Sequence, residues 1–375
     1  MDARQAEERI LNGKLWEDFC DRLKAAGQLV KEPNVPKDVM NQALGYRFLT
    51  RILRAGLERV VDYADPQYPA FFRLADDTKK ILNDNPDNYY ENCMIDGRFD
   101  YRITGTRGTV KWFSIGVKGG TGIEAMASQS EIDSSKIALE PDGTFEILLS
   151  QKPQKGNWLK LLPNSTNMVV RQTFGNRKQE KRAELRIECL NPERPNNNLV
   201  PAQLEGQLMG ALGFLESTIK LGLMWTKMYQ EKTLNRLPPH DQPMLYAAGG
   251  DPTIHYYQSH WQLAPDEALL VHIPFFPECA TWNLQLSNFW MESLDHRFFD
   301  VCVNKFSARY EKDGSVRIVI AHSDPGPDHP NWLNTLGHDQ GGMLGRIVGA
   351  SGGWPESWDT QVVKFADIAK GSRSR

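Results

Sequence analysis

Hydrophobic positions along this chain follow two rhythms. Up to residue 84 the spacing is helical: Leu11, Leu15, Phe19 and Leu23 recur every four residues, which places them on one helix face. A second run, Val39, Ala43, Tyr46, Leu49, Leu53, Leu57 and Val61, is entered through Pro36 and Asp38 as start signals. It stops near Asp65-Pro66, where the proline disfavours helix in the residue before it. Past residue 96 the rhythm becomes two. Phe99, Tyr101 and Ile103 alternate with polar neighbours, and Thr144–Ser150 reads as a short strand behind a turn at Pro141-Asp142-Gly143. The breakers Asn191-Pro-Glu-Arg-Pro-Asn-Asn-Asn198 then form a polar linker. Pro201 opens a long helical stretch with Leu204, Leu208, Leu212, Leu215, Ile219 and Leu223 on one side, ending before Pro238-Pro239. From 245 to 366 the strand rhythm returns.

The two strand-like regions repeat one another, and an internal repeat constrains a fold before any single motif does. Pro141-Asp-Gly-Thr-Phe-Glu-Ile-Leu-Leu-Ser150 mirrors Lys312-Asp-Gly-Ser-Val-Arg-Ile-Val-Ile-Ala321. A proline-containing loop follows each, then Asn157-Trp158-Leu159 or Asn331-Trp332-Leu333, then an arginine, Arg171 or Arg346, in a strand-like run. Upstream, Tyr89-Tyr90 matches Tyr256-Tyr257 and Trp112 matches Trp282. The offset drifts from 167 (Tyr89 to Tyr256) to 175 (Arg171 to Arg346), as small loop insertions make it do. We therefore expect an N-terminal helical segment at 1–84, a first β unit at 85–190, a linker and helical insertion at 191–244, and a second β unit at 245–370. This is a mainly β fold with helical additions, built from two duplicated jelly-roll-like β-sandwich units. The leucine stripe of the insertion is expected to bury against the β layers.

Composition narrows the class. The 375 residues carry 44 Lys+Arg against 47 Asp+Glu, a net charge of −3, without the basic excess of a nucleic-acid binder. Aromatics at 10% exceed what a chain unable to bury a core carries. No run of about 18 uncharged apolar residues is present to span a membrane. Met1 to Arg9 is charged where a signal peptide needs an apolar run. The five cysteines, Cys20, Cys93, Cys189, Cys279 and Cys302, form no CxxC pair and fit reduced thiols. The expected compartment is the cytoplasm. The expected partner is a small-molecule ligand, with no nucleic acid and no membrane, and a homo-oligomer stays open.

Formal motifs dissolve in their contexts. Gly120-Thr-Gly122-Ile-Glu-Ala125 fits the loose dinucleotide pattern G-x-G-x-x-A, but its flanks read as antiparallel β rather than βαβ, so a flexible loop is expected. Gly349-Ala-Ser351-Gly-Gly353 has the form G-x-S-x-G, yet Trp354-Pro355 follows where a nucleophile elbow needs a helix. Asn164-Ser-Thr166 is a glycosylation sequon without use in a cytoplasmic chain.

Histidine placement says more. All eight histidines lie between 240 and 338, none in the first β unit. The densest group is His322-Ser-Asp324-Pro-Gly-Pro-Asp328-His329, followed by His338-Asp339. His-x-Asp at a strand end sets both side chains on one side of the sheet, which suits an acid–base pair or an oxygen–nitrogen metal site. A polar surface loop accounts for the same residues. A second group runs from Trp282 to His296, where Asn283 and Gln285 face away from Trp282, Leu284 and Leu286, and Trp290, Glu292 and Asp295 supply pocket walls. The candidate catalytic residues are His322, Asp324, His338, Glu292 and Asp295. The candidate substrate-binding residues are Trp290, Arg346, Arg107 and Asn288. Arg171 holds the place of Arg346 with no histidine nearby, which gives that arginine a structural reading too. No metal is assigned, and the cofactor is unknown.

The run Trp282 to Asp295, the Asp313-Gly314 turn, Pro330-Asn-Trp-Leu333 and Gly337-His338 with Arg346 resemble the C-terminal signature of the domain of unknown function 1214 family. Asn85-Pro-Asp-Asn-Tyr89 through Tyr101-Arg-Ile-Thr-Gly105 resembles the matching N-terminal part of related bacterial proteins. The resemblance covers most of 85–366 and implies jelly-roll sandwiches with helical additions. It implies no catalytic residues, since the family's function is unassigned, and a fold alone supplies no reaction. Three functions follow as expectations. The first is an intracellular enzyme, a hydrolase or lyase acting on a small, partly apolar, oxygenated molecule. The second is a non-catalytic sugar- or lipid-binding β-sandwich protein. The third is an assembly protein that uses the helical insertion as an interface.

Overall fold

The computed structural model describes residues 3–120, 126–195 and 199–369. All of the glycine-rich run past Gly120 lies outside the described residues, as do 196–198 of the polar linker. The four-residue rhythm at the N-terminus resolves into two helices, α1 (Ala3–Leu11) and α2 (Lys14–Ala26). Gly13, at φ 78°, takes the left-handed conformation that separates them. Leu11 is left 87% exposed, while Leu15 and Phe19 are buried. Helix α3 (Val39–Leu57) starts on Asp38, whose side chain accepts the Asn41 N–H at 2.9 Å. Its buried face centres on Leu44, Phe48, Ile52 and Ala55, rotated from the expected stripe, so Val39 and Tyr46 are exposed.

Two sets of eight strands follow. The first comprises β1 (Asn88–Met94), β2 (Tyr101–Thr106), β3 (Trp112–Gly119), β4 (Ser128–Asp133), β5 (Thr144–Ser150), β6 (Trp158–Lys160), β7 (Ser165–Thr173) and β8 (Glu184–Cys189). Helices α4 (Pro201–Lys232) and α5 (Gln242–Ala247) intervene. The second set comprises β9 (Ile254–Gln262), β10 (Glu267–Ile273), β11 (Thr281–Leu286), β12 (Cys302–Asn304), β13 (Val316–Ala321), β14 (Trp332–Asn334), β15 (Gln340–Val348) and β16 (Asp359–Lys364), with α6 (Phe365–Ala369) behind it.

The first unit stacks a sheet of order β1-β7-β3-β4 on one of order β6-β5-β2-β8; the second stacks β9-β15-β11-β12 on β14-β13-β10-β16. Adding eight to each label of the first unit reproduces the second, so the duplicated jelly-roll-like sandwich holds strand for strand. The parallel pairs repeat as well, β5 with β6 and β13 with β14. Trp158 and Trp332 open the short strands of those pairs, and their indole N–H groups donate to Ser150 O and Ala321 O at 3.2 and 3.1 Å. The side chains of Asn157 and Asn331 each donate to two backbone carbonyls beside them.

Strand register moves two of the sequence matches by one residue. Arg171 pairs with Tyr90 on one side and Ser114 on the other, and Arg346 pairs with Tyr256 and Asn283. Tyr90 rather than Tyr89 is the counterpart of Tyr256, and Phe113 rather than Trp112 is the counterpart of Trp282. In a strand a one-residue slip reverses the face. Phe113 and Trp282 fill the two sandwich cores, while Trp112 packs outside with Trp225 of α4. The leucine stripe of α4 is buried, but not mainly against β layers. Leu208 and Leu212 pack on α2, and Leu215, Ile219 and Leu223 pack with α3 residues, Phe289 and Trp290. Only the later turns, with Trp225 and Tyr229, join strand residues of the second unit.

Candidate functional site

Each β unit is entered through a short lead-in, and the two lead-ins share a pattern. Asn85-Pro86-Asp87 precedes Tyr90 as Asp251-Pro252-Thr253 precedes Tyr256. In both, Oδ1 of the first residue accepts the N–H two residues on, at 2.9 Å. In both, the first residue's own N–H donates to the tyrosine hydroxyl five residues later, at 3.0 Å. The lead-ins are exchanged between units. Arg171 of the first unit donates through Nη2 to Gly249 O, ahead of the second unit, at 2.6 Å. Arg346 of the second donates through Nη2 to Asn83 O, ahead of the first, also at 2.6 Å. Ser114 Oγ donates to Asp251 Oδ2, and its counterpart Asn283 Nδ2 donates to Asn85 Oδ1, each at 2.7 Å. Equivalent atoms of each unit thus hold the other's entry.

The two centres differ in charge. On the second unit's face, Gln285 stands opposite Cys302, with Ser287 two residues further along. Arg346 Nη1 donates to Gln285 Oε1, and Gln285 Nε2 donates to Asp84 O at 2.9 Å. On the first unit's face the same three positions hold Gly116, Glu131 and Lys118. Lys118 is fully buried, with Nζ 2.6 Å from Glu131 Oε1 and 3.2 Å from Gly250 O. Ser128 Oγ also donates to Glu131 Oε1 at 2.6 Å. The Glu131 carboxylate lies over Gly116, where a Cβ would stand 2.4 Å from its oxygens. Arg171 Nη1 approaches Asp251 Oδ2 no closer than 3.6 Å. It and Glu131 Oε2 are buried without hydrogen-bond partners.

Burial pushes the Glu131 carboxyl up, and the Asp251 charge adds to the rise against the pull of Lys118 and Arg171. Burial pushes the Lys118 ammonium down, with Arg171 adding to the fall against Glu131. Both members of the pair are therefore driven toward their neutral forms, between which one proton can pass. Burial alone would raise Asp251, but Arg171 and the hydroxyls of Ser114 and Thr253 overcome it and hold that carboxyl below the usual range. Asp251 stays the fixed anion of the group.

The residues singled out from the sequence are dispersed. Asn288, Trp290 and Glu292 share the turn after β11. There Asn288 Oδ1 accepts the Trp290 and Glu292 N–H groups, and the Trp290 indole N–H donates to Asn41 O at 2.9 Å. Glu292, 1% exposed, takes Arg51 at 2.5 Å and Asn288 Nδ2 at 2.8 Å, with Arg47 at 3.8 Å. His338 joins this corner through Arg47; burial first, then that guanidinium, pushes its imidazole down. His322 is apart, its Nδ1 2.8 Å from the Thr335 hydroxyl, although the Thr335 carbonyl accepts the His338 N–H. Asp324 accepts the Gly326 N–H in an exposed turn, and Asp295 pairs with Arg297 at 2.8 Å. Arg107 donates to Val110 O beside the Phe113 ring, and Arg346 is engaged in its clamp. The Gly349–Gly353 run is a turn with no helix behind it. Among the described residues, no three His, Cys, Asp or Glu side chains are grouped to hold a metal ion.

Reading the sequence missed Lys118, Glu131 and Asp251. The signal was present in Ser114-x-Gly116-x-Lys118, a polar face alternating with Phe113, Ile115 and Val117, and in the two Asx-Pro lead-ins. An open depression of about 520 Å³, lined by Phe276, Trp282, Lys305, Phe306 and Tyr310 among others, lies away from these charges.

The solved structure of an uncharacterised protein from Burkholderia cenocepacia is similar over 96% of this chain and 99% of its own, at 43% identity and a TM-score of 0.91. A Vibrio parahaemolyticus protein, 13% identical, shares the fold over 85% of this chain and 98% of its own, with a TM-score of 0.51. No curated protein matches. Residues 87–177 and 268–350 match, as two segments, the family described as a protein of unknown function (DUF1214). Those segments fall one in each sandwich, so the signature is duplicated like the strands that carry it, and the chain belongs to the domain of unknown function 1214 family.

Proposed function

We propose that the chain is an enzyme of hydrolase or lyase type acting on a small, oxygenated molecule. In this reading Lys118 and Glu131 are its proton-transfer pair, and Arg171 fixes an oxygen of the ligand. The observation that carries this reading is the buried, unpartnered pair of polar atoms, Arg171 Nη1 and Glu131 Oε2. Buried polar groups without partners call for a ligand or water, and displaced pKa values in such a place mark functional groups. Bracing the fold does not require the Lys118–Glu131 pair. A buried ion pair is often no more stabilising than neutral packing of similar volume, and Gln285, Ser287 and Cys302 are that neutral packing on the same scaffold. The cytoplasmic compartment is part of the proposal, supported by five free thiols. No helix among the described residues is long and apolar enough to cross a membrane.

The test transplants three uncharged residues of the second centre into the equivalent positions of the first. Gly116→Gln, Lys118→Ser and Glu131→Cys together remove a balanced ion pair and supply Arg171 with the amide that Arg346 has. The triple variant is expected to keep its melting temperature. Turnover in a screen of small esters, lactones and hydroxy acids is expected to fall by about 10²-fold or more. Full turnover in the folded variant removes the assignment. Of the residues chosen from the sequence as catalytic, Glu292 and His338 stay proposed in that role, and unchanged turnover in His338→Ala removes His338.

A second reading, non-catalytic sugar or lipid binding, is favoured by the aromatic depression, where Phe306 and Tyr310 are 46% and 45% exposed. It predicts ligand affinity lost in Phe306→Ala and untouched by the triple variant.

A further inference from the structure

We infer that the aromatic depression of the second sandwich binds a monocarboxylate with an apolar body, its carboxylate on Lys305 and its alkyl or aryl body against Phe306 and Tyr310. This rests on reading the depression as a ligand site, and it narrows the second functional reading from sugars and lipids to acids with an apolar body. The Lys118–Glu131 centre takes no part in it. The lining contains no carboxylate or amide side chain: Phe276, Trp282, Phe306 and Tyr310 supply rings, and Lys305 supplies charge. Phe276 stacks on Trp282 at 4.3 Å between ring centres. The Tyr310 hydroxyl is engaged both ways, donating to Lys305 O at 3.1 Å and accepting the Trp282 indole N–H at 3.0 Å. Lys305 Nζ donates to Cys279 O at 2.7 Å and pairs with no carboxylate among the described residues. The rest of its donors are free for a ligand, and an ammonium accepts nothing. A cationic donor beside apolar rings suits an anionic acceptor on an apolar body. It offers the hydroxyl hydrogens of a sugar no carboxylate or amide to bind.

The positive charge of the depression is not balanced within it. Burial pushes the Cys279 thiol up, and the one charge acting on it, Lys305, pulls it down. Burial likewise pushes the Tyr310 hydroxyl up, with no contribution from a carboxylate. A second ammonium, Lys111 Nζ, lies 5.0 Å from the centre of the Phe306 ring, with Glu180 at 3.7 Å. That carboxylate is committed to the Gly175 and Asn176 N–H groups. The Phe306 ring is seated on Gly175, where a Cβ would stand 2.4 Å from it. The duplicated scaffold does without these rings. Lys305 N–H donates to Trp282 O as Ser134 N–H donates to Phe113 O, which sets Phe306 against Ser135. Arg309 N–H donates to Asn331 Oδ1 as Ala138 N–H donates to Asn157 Oδ1, which sets Tyr310 against Leu139. Arg107 stands as far before Phe113 as Phe276 before Trp282. One sandwich therefore folds with serine, leucine and arginine where the other carries phenylalanine, tyrosine and phenylalanine. Half-exposed rings that folding does not require mark a binding surface.

The experiment is titration calorimetry of the full chain at neutral pH with hexanoate and benzoate. Hexanol and benzyl alcohol are the neutral matches, and glucose and glucuronate are the sugars without and with a carboxylate. At least one acid is expected to bind about tenfold or more tighter than its alcohol, and to weaken in high salt. Whichever acid binds tighter tells an alkyl occupant from an aryl one. Lys305→Met keeps the apolar stem and removes the charge, and in it the acid is expected to fall to the affinity of its alcohol. Phe306→Ala is expected to weaken acid and alcohol alike, and the triple variant to leave both unchanged. Salt dependence in the parent chain serves if Lys305→Met does not fold. Alcohols that bind as tightly, glucuronate as tight as hexanoate, acid binding unchanged by salt or by Lys305→Met, or no acid binding at all each overturn the inference. Glucose binding that Phe306→Ala abolishes would then leave the second functional reading standing on sugars, whereas no binding sensitive to Phe306→Ala removes that reading as well.

Discussion

His260 on β9 shows how one buried side chain sets the acid limit of the fold. It is 1% exposed, its Nε2 lies 3.3 Å from Gln340 Oε1, and burial pushes its pKa down to about 4. The unfolded chain takes up this proton near the ordinary value of 6.5, so between 6.5 and about 4 the unfolded state binds more protons. Stability therefore falls as pH falls through that window, by about 3 kcal/mol in all for this group. His260→Gln keeps a hydrogen-bonding amide and removes the loss. Urea midpoints at pH 7 and 4.5 are expected to differ less in the variant than in the parent, and equal differences would place the acid sensitivity elsewhere, with the partly buried His296 the next candidate. At this scale the sequence was only partly legible. Clustered histidines are visible in a string of letters. A lysine with no exposed surface is not, because its burial is made by Glu131, Gly250 and Arg171, each on a different segment.

Elements were easier to read where they are local. The strand Thr144–Ser150 is found at the residues its alternation marks, and α3 begins at the cap that its sequence announces. Helix α4 was legible as a helix but not in its neighbours, since a leucine stripe states that a face is buried and not against what. The answer is mostly other helices: Leu212 is fully buried among Leu15, Phe19 and Leu208. Leu212→Ala is therefore expected to cost about 2–5 kcal/mol, the usual range for such a cavity. Met224→Ala on the same helix, where the side chain is 54% exposed, is expected to cost almost nothing. Thermal melts of the two single variants decide it, and a tolerant Leu212 would mean that α4 is loosely docked. The break at Gly13 was missed because Leu11 keeps the four-residue spacing while standing outside the fold.

For the whole molecule, the duplication was legible and its interlock was not. Repeated tripeptides reveal two similar units, but their exchange of lead-ins involves segments 78 residues apart for Arg171 and Gly249 and 263 apart for Arg346 and Asn83. Neither unit is complete alone. A fragment of residues 1–195 leaves Arg171 without Gly249 and Asp251, and Lys118 without Gly250. Its sheet face then turns these charges to solvent without their partners, together with Trp112, which α4 covers in the whole chain. We expect that fragment to be insoluble or to melt without a cooperative transition, and to be rescued by co-expression of residues 199–375. A 1–195 fragment that melts cooperatively by itself would show the interlock to be dispensable. The same exchange has a consequence in time. The last strand of the first sandwich ends at Cys189, and Gly249 is 60 residues later (249 − 189). At about 5–20 residues per second on the ribosome, that sheet waits some 3–12 s in the nascent chain with its guanidinium and ammonium unanswered. During that interval water or a chaperone must stand where Asp251 will later be.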